Sequence, residues 1–507
     1  MRRRPTATLL LVVALLATAC GARLTDDQRE FALQGVGSEA TGTGTGTGAG
    51  TAPDPDVADP DGLAADPGDP QVADPDGEEA GADAVEANGE GAAVSADGNG
   101  GDGGDGDGED AGEGQPTDTR SMPPGGNGGA TDVGVSEEEI VLANISDISG
   151  AVPGLFEPEQ LAAQAYVEYF GAAEGTIYGR ELSFLPLDSQ MSAGANRAAS
   201  IEACDRAFAT VGSMSAFDGG AAPVIDECGI PDIRTAATEP PMQVVGNAFP
   251  VEVVKPDMLP IGEYEWIAEQ FPSAPQNAAY LYIAGEVTQA FGEKVRQITS
   301  EQLGWEWTYV QEIDIAETDY GGFAREMNSR GVEYVTFQGD PSQAARLASA
   351  MRQQGFEPDI FHLEANAYTP TYIERAPEAV EGTYITITSV MVEEAMETNE
   401  ELQRYAQFLQ QVAPGEQPTG LGMKSWSAGM LFTELAKQIG PELTREAMLD
   451  ALAGIEGWDG GGMHPPMDIG AQEPSPCFTI IQVQGGEFQR VHPAEGFDCS
   501  STVARMD

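Results

Sequence analysis

Residues 134–190 read GVSEEEIVLANISDISGAVPGLFEPEQLAAQAYVEYFGAAEGTIYGRELSFLPLDSQ, and they decide the fold. Ile140 to Ile145 is a short, nearly unbroken apolar run, the pattern of a strand buried on both faces. Ser146 to Gly154 follows as a loop of Ser, Gly, Asp and Pro. From Pro158 to Phe170 the spacing places Leu161, Ala162, Ala165, Tyr166 and Tyr169 on one helical face. Gly175 to Gly179 turns the chain, and Leu182 to Leu187 returns as a second strand ending at Asp188. A parallel pair joined by a helix leaves the loop after the first strand at the carboxyl edge of the sheet. There, helix N-termini and free N–H groups can hold a polar ligand.

The same rhythm runs to the C-terminus. Helices are expected at 199–209, 223–228, 262–270, 290–303, 321–330, 342–354, 400–412, 425–439 and 443–452. Strands are expected at 230–235, 278–283, 307–312, 334–337, 359–362 and 383–389, and a hairpin at 478–491 closes the chain. Roughly 375 residues from position 132 onward are too many for one small core and suit two α/β domains.

What precedes them is of another kind. Arg2-Arg3-Arg4 is a basic n-region, and Leu9 to Ala19 is an apolar run too short to span a bilayer. It ends in small residues before Cys20, which resembles a bacterial lipobox and implies a signal peptide over 1–20 with a lipid on Cys20. Residues 21–131 are rich in Gly, Asp, Thr and Pro. Between Phe31 and Thr119 lie 22 acidic residues and no Lys or Arg, so the segment lacks the apolar surface to offset its chain entropy. It reads as a disordered acidic spacer. Its Asp-Gly runs superficially resemble calcium loops, but no window has the ligand spacing and closing Glu of an EF-hand.

The formal net charge is −59, and the only lysines are Lys255, Lys294, Lys424 and Lys437. The absence of a basic cluster argues against nucleic acid and against anionic lipid surfaces as partners. Beyond Cys20 four cysteines remain in an exported chain, which favours disulfides. Three pairings are possible, and the partners nearest in sequence, Cys204–Cys228 and Cys477–Cys499, are the expected ones.

The order of these elements resembles a type I periplasmic binding fold. More specifically, it resembles the leucine/isoleucine/valine-binding-protein-like branch of ABC-transporter substrate-binding proteins. The likeness rests on Ile148-Ser149-Gly150-Ala151-Val152 after the first strand and on Thr318-Asp319-Tyr320 opening a helix. It rests also on AARLASAMRQQG at 344–355 and on Lys424-Ser-Trp426-Ser-Ala428. It covers residues 134–495. Gly171 departs from the family's Asn, and only Gly175-Thr-Ile177 remains of its Gly-Gly-Ile turn.

The resemblance implies two lobes joined by crossing strands near 251–256, near 385–390 and beyond Gly462, closing like a hinge over a small solute. The first lobe would begin at 132–255, the second span 256–384, and 385–507 return to the first lobe with a C-terminal hinge and hairpin. By the same resemblance, first-lobe ligand contacts fall on Ser149, Ala151, Ser213, Ser215, Thr235, Ala237 and Thr238. For each Ser or Thr here, helix capping is an equal reading. In the second lobe Phe291, Gln338 and Tyr368 take the matching positions. An ammonium group would need a carboxylate, for which Glu364, Asp188 and Glu286 are candidates; amides, urea and aromatic acids are bound by relatives. The implied partners are a small solute, an ABC permease and the lipid anchor, with the protein a monomer on the outer face of the cytoplasmic membrane.

Catalysis finds no support in the sequence. His362, His464 and His492 are scattered without a metal-binding spacing. Residues 212–216, GSMSA, are not a nucleophile elbow, and no phosphate loop follows a strand. No catalytic residue, metal or cofactor is expected. The rival reading is a surface lipoprotein using the same fold as a sensor or adhesion module.

Overall fold

The structure, a computed structural model, describes residues 119–506. Cys20, the expected signal peptide and the spacer up to residue 118 lie outside them.

In the first lobe β1 (Glu139–Ser146), α1 (Glu157–Ala173) and β2 (Glu181–Asp188) form the βαβ unit that the opening stretch dictates. The strands are parallel, with Ile140 opposite Leu182 and Ser146 opposite Asp188. Next come α2 (Ala193–Arg206), β3 (Ala209–Val211), α3 (Ala222–Cys228) and β4 (Asp232–Ile233). They complete a parallel sheet of order β2-β1-β3-β4. The helix expected over 199–209 ends at Arg206, because Ala207 is extended and the Phe208 N–H donates to Val141 O at 2.8 Å. Alanine supports either state, and the ladder beside β1 decides it.

The chain then crosses to β5 (Met258–Pro260), α4 (Gly262–Gln270), β6 (Ala278–Ile283), α5 (Glu286–Ile298), β7 (Trp307–Ile313) and α6 (Gly321–Arg330). It continues through β8 (Tyr334–Gln338), α7 (Pro341–Gln353), β9 (Ile360–Leu363), α8 (Pro370–Arg375) and β10 (Tyr384–Ile387). Helices α9 (Glu400–Val412), α10 (Gly420–Ile439) and α11 (Arg445–Leu452) pack back on the first lobe. Their anchor is Trp426, fully buried with its ring 5.0 Å from that of Tyr166 on α1. Last come β11 (Thr479–Gln484), β12 (Glu487–His492) and β13 (Val503–Arg505).

Other boundaries also differ from those expected, two of them by enough to matter. The hairpin β11–β12 extends the second sheet, whose order is β12-β11-β10-β9-β8-β6-β7, and residue 385 falls inside β10 of that sheet. The return to the first lobe therefore starts after Ile387, and the C-terminal hairpin belongs to the second lobe. The helix expected to start at Ala290 starts at Glu286, where Thr288 Oγ1 donates to Gly285 O at 3.0 Å.

The spacer is also shorter than composition suggests. Asn127 is 1 % exposed, and its side-chain amide donates to Glu137 O at 2.7 Å and Tyr178 O at 3.0 Å. One well-placed Asn ties down a segment that looks polar throughout, so packed chain begins well before residue 132. Disulfides join Cys204 to Cys228 and Cys477 to Cys499. Among the described residues no helix is long and apolar enough to cross a membrane.

Candidate ligand-binding cleft

Each lobe winds its parallel strands in the same way, β2-β1-β3-β4 in the first and β7-β6-β8-β9 in the second. In such sheets a crevice opens at the carboxyl edge where the winding reverses. In the first lobe this is the ground after β1 and β3, in the second the ground after β6 and β8. Glu286 opens α5 at the carboxyl edge of the second lobe. Burial, with Asp218, Glu286 and Asp147 adding and the Gly219 N–H opposing, pushes Glu239 up to about 7.

The first-lobe edge is organised by its own carboxylates. Ser149, exposed, donates from Oγ to Asp188 Oδ2 at 2.6 Å and from its N–H to Oδ1 at 3.2 Å. Ile148 and Gln190 donate to the same Oδ1 at 3.1 and 2.8 Å. Burial pushes the Asp188 pKa up, but these hydrogen bonds outweigh it and hold the group below its usual value. Asp147 is wholly buried and accepts from Ser189 Oγ at 2.5 Å, Ser215 Oγ at 2.9 Å, Met191 N at 3.0 Å and Ala216 N at 2.7 Å. Asp218, also buried, takes the Thr238 and Glu239 N–H groups at 2.9 Å each and Arg234 Nη1 at 3.1 Å.

The remaining first-lobe residues serve the strands. Ser213 Oγ accepts from Ile145 N at 3.0 Å, and Thr235 Oγ1 donates to Gly212 O at 3.0 Å; both side chains are buried. Gly212 is left-handed, and a Cβ there would collide with Ser425 Oγ, so the loop after β3 is held against α10. Thr238 Oγ1 donates to Ser215 O at 2.5 Å, Ala237 is buried and Ala151 is exposed.

In the second lobe Gln338 ends β8 with its Nε2 enclosed and without a partner. Tyr368 is 5 % exposed; its hydroxyl donates to Glu393 Oε2 at 2.5 Å, accepts from Val392 N at 2.7 Å, and its ring rests on Phe488. Phe291 sits on α5 against the aliphatic and aromatic cluster of Leu259, Tyr264 and Trp305, with Lys294 Nζ 5.2 Å from its ring centre. Of the three carboxylates suggested for an ammonium, Asp188 caps the first loop and Glu286 is exposed at the second-lobe edge. Glu364 is held well above its usual pKa by burial, with Glu263 adding and Lys294 opposing. The structure thus groups Ser149, Ser215 and Thr238 at the first edge and Gln338 at the second, while Ser213 and Thr235 lie inside the sheet connections.

Residues 139–487 match the family model described as periplasmic binding protein. The chain belongs to that family. Solved structures agree on the fold. A fatty acid ABC transporter substrate-binding protein from Thermomonospora curvata is 19% identical with a TM-score of 0.64, over 75% of this chain and 96% of that one. A leucine-binding protein from Thermotoga maritima is 17% identical with a TM-score of 0.57, over 72% and 99%. A branched-chain amino acid transporter substrate-binding protein from Streptococcus pneumoniae, in complex with isoleucine, is 15% identical with a TM-score of 0.59, over 70% and 100%. No curated protein matches the chain.

In this periplasmic binding protein the lobes are tied by Lys424, a residue the sequence reading quoted without a role. Lys424 is 1 % exposed on α10, and its ammonium contacts Glu252 of the first crossing and Thr388 Oγ1 of the second. Thr388 Oγ1 also donates to Glu252 Oε2 at 2.8 Å. Burial lowers the Lys424 pKa to about 7. His464, at the third crossing, is lowered to about 4 by burial first, with Lys424 and the opposing Pro465 carbonyl also acting. Nearby, Lys255 Nζ donates to Gln243 O and to Gln472 Oε1, each at 2.8 Å, joining the first and third crossings. The available signal was a lysine set among small and apolar residues of α10, since a lone cation is costly to enclose unless paired.

Proposed function

We propose that this protein is an extracytoplasmic solute-binding lipoprotein of an ABC importer. It would be anchored through Cys20 and would capture a small polar solute between its lobes for delivery to a membrane permease. The family, one of solute-binding proteins, supports the general role. The observation that carries the reading is the pair of parallel sheets wound in the same way, each with a loop-lined carboxyl edge at its winding reversal.

The solute's character follows from which groups at the first edge are already satisfied. In the family's manner, Ser149 and the loop amides would hold a ligand carboxylate. Here the Ser149 hydroxyl and N–H go to Asp188, the Ala216 N–H to Asp147 and the Thr238 N–H to Asp218. Those donors are already engaged by the protein's own carboxylates. An amide-like or amine-bearing solute fits that edge better than a free carboxylate, with Ser149, Ala151, Ser215, Thr238 and Gln338 around it. The leucine and isoleucine associated with the solved relatives do not transfer unchanged.

The test is thermal unfolding of the protein across amides, urea, amines and amino acids. Solute at 100 times its Kd stabilises the native state by about 2.7 kcal/mol, which is readily seen as a shifted midpoint. An amide or amine hit that weakens in Asp188→Asn would support the reading. A hit among free amino acids that strengthens in Asp188→Asn would show that a carboxylate is the recognised group. A panel without any shift would favour the sensor or adhesion role.

A further inference from the structure

Away from the cleft, helices α6, α7 and α8 wall a cavity of about 430 Å³. Three guanidinium groups line it, Arg325 from α6, Arg346 from α7 and Arg375 from α8, against a single carboxylate, Asp319. That carboxylate is engaged, for its Oδ1 accepts the Gly321 N–H at 2.9 Å. None of the three arginines has an ion pair or hydrogen bond among the described residues. In a chain with 83 acidic and 24 basic residues, some arginines do find acids: Arg330 pairs with Glu326 at 2.8 Å and Arg490 with Glu394 at 2.8 Å. The three around this hollow have no such partner, and they converge on one space.

Two further observations point the same way. Tyr320 also lines the cavity; it is 2 % exposed and its hydroxyl has no partner. Burial pushes that hydroxyl's pKa up to about 12, with the Arg346 charge opposing. The N-terminal turn of α6 forms part of the wall. A Cβ placed on Gly321 would lie 3.1 Å from Asp319 Oδ1, 3.4 Å from Arg325 Nη1 and 3.5 Å from Gln354 Nε2. Two donors therefore converge beside the Asp319-capped N-terminus of α6, where the helix dipole favours an anion. Guanidinium forks suit phosphate oxygens bidentately.

We propose that the cavity between α6, α7 and α8 is a second binding site, separate from the cleft, for a phosphate dianion, free or as the monoester of a small molecule. Tyr320 would donate its hydroxyl to one oxygen while Arg325, Arg346 and Arg375 neutralise the charge. The site does not depend on which solute the cleft takes.

The experiment is isothermal titration of the protein with inorganic phosphate and, separately, glycerol phosphate, against chloride at matched ionic strength. Saturable one-site binding is expected for phosphate, and tighter binding of glycerol phosphate would identify the ester as the ligand. Arg346→Ala and Arg375→Ala should each weaken binding about tenfold, the equivalent of one charge-assisted hydrogen bond, and Tyr320→Phe by several-fold. All three should bind with unchanged affinity for any cleft solute, and Gln338→Ala should leave phosphate binding intact. The arginines are exposed, so the variants keep the fold, which their thermal midpoints verify. Absence of saturation up to roughly 10 mM phosphate, a range that covers weak millimolar sites, overturns the proposal. So does binding that is unchanged in an Arg346→Ala, Arg375→Ala double variant.

Discussion

Ser149 and Asp188 show what a sequence can and cannot tell about a single residue. The sequence placed Ser149 correctly at the carboxyl edge after β1, because the apolar run and the Ser-Gly loop define that edge. It did not reveal that Asp188 would accept both the hydroxyl and the N–H of Ser149, since a hydroxyl looks the same whether it serves a ligand or a neighbour. Glu159 was equally invisible. It is 3 % exposed in the first turn of α1, and its Oε2 has no partner. Burial, opposed by its own backbone N–H, raises its pKa from 4.5 to about 8. An acid whose pKa is raised on folding binds a proton more tightly in the native state. Its contribution is complete below about pH 4.5 and is lost as the pH climbs towards 8, with a slope of up to about 1.4 kcal/mol per unit. Glu159→Gln removes this proton uptake. The loss of stability between pH 5 and pH 8, followed by urea unfolding, should therefore be smaller in the variant; an identical loss would mean that Glu159 ionises freely in the native state.

Among the elements, those with a clean period were legible and those held by tertiary contacts were not. Gly262–Gln270 and Ala278–Ile283 match their expected bounds, because an apolar face or run is a local property. The two-residue strand β4 owes its existence to β3 beside it and to Arg234, which reaches Asp232 at 3.3 Å and Asp218 at 3.1 Å. The hinge is the same kind of object: Lys424, Glu252 and Thr388 lie far apart in sequence and meet only after both lobes have formed. Lys424→Met deletes the cation and leaves Glu252, whose side chain is 24% exposed, facing a dry helix. Breaking a buried pair from one side costs about 3–5 kcal/mol, and the partial exposure of Glu252 puts this case near the lower figure. Urea unfolding should show that drop in Lys424→Met and a partial recovery in the Lys424→Met, Glu252→Gln double variant. Equal stability of single variant and parent would remove Lys424 from the hinge.

For the molecule as a whole, the boundary of the packed chain is where composition misled most. The Gly-rich, Pro-rich polar tract does not change character at Thr119, yet from there the chain lies against the first lobe. The reason is Arg180, a charged residue with no exposure at all. Its guanidinium donates to Ser136 O at 2.7 Å, Pro441 O at 2.8 Å, Gly129 O at 3.0 Å and also to Asn127 O. Two of those four acceptors come from the stretch before residue 132. The same stretch supplies Thr131, whose hydroxyl donates to Leu443 O, and the Thr119 carbonyl, which accepts from Tyr178 N at 2.6 Å. A chain begun at Asp132 would keep every strand and helix but leave Arg180 with half its acceptors in a site closed to water. Hydrogen bonds to a charged group contribute about 1.5–3 kcal/mol each, so the loss should be about 3 kcal/mol or more relative to a chain begun at Thr119. Urea midpoints of the two chains measure it directly. Arg180→Met should erase most of the difference, because the cation that the segment serves is then gone, and a difference that survives the substitution would assign the effect to the backbone contacts instead.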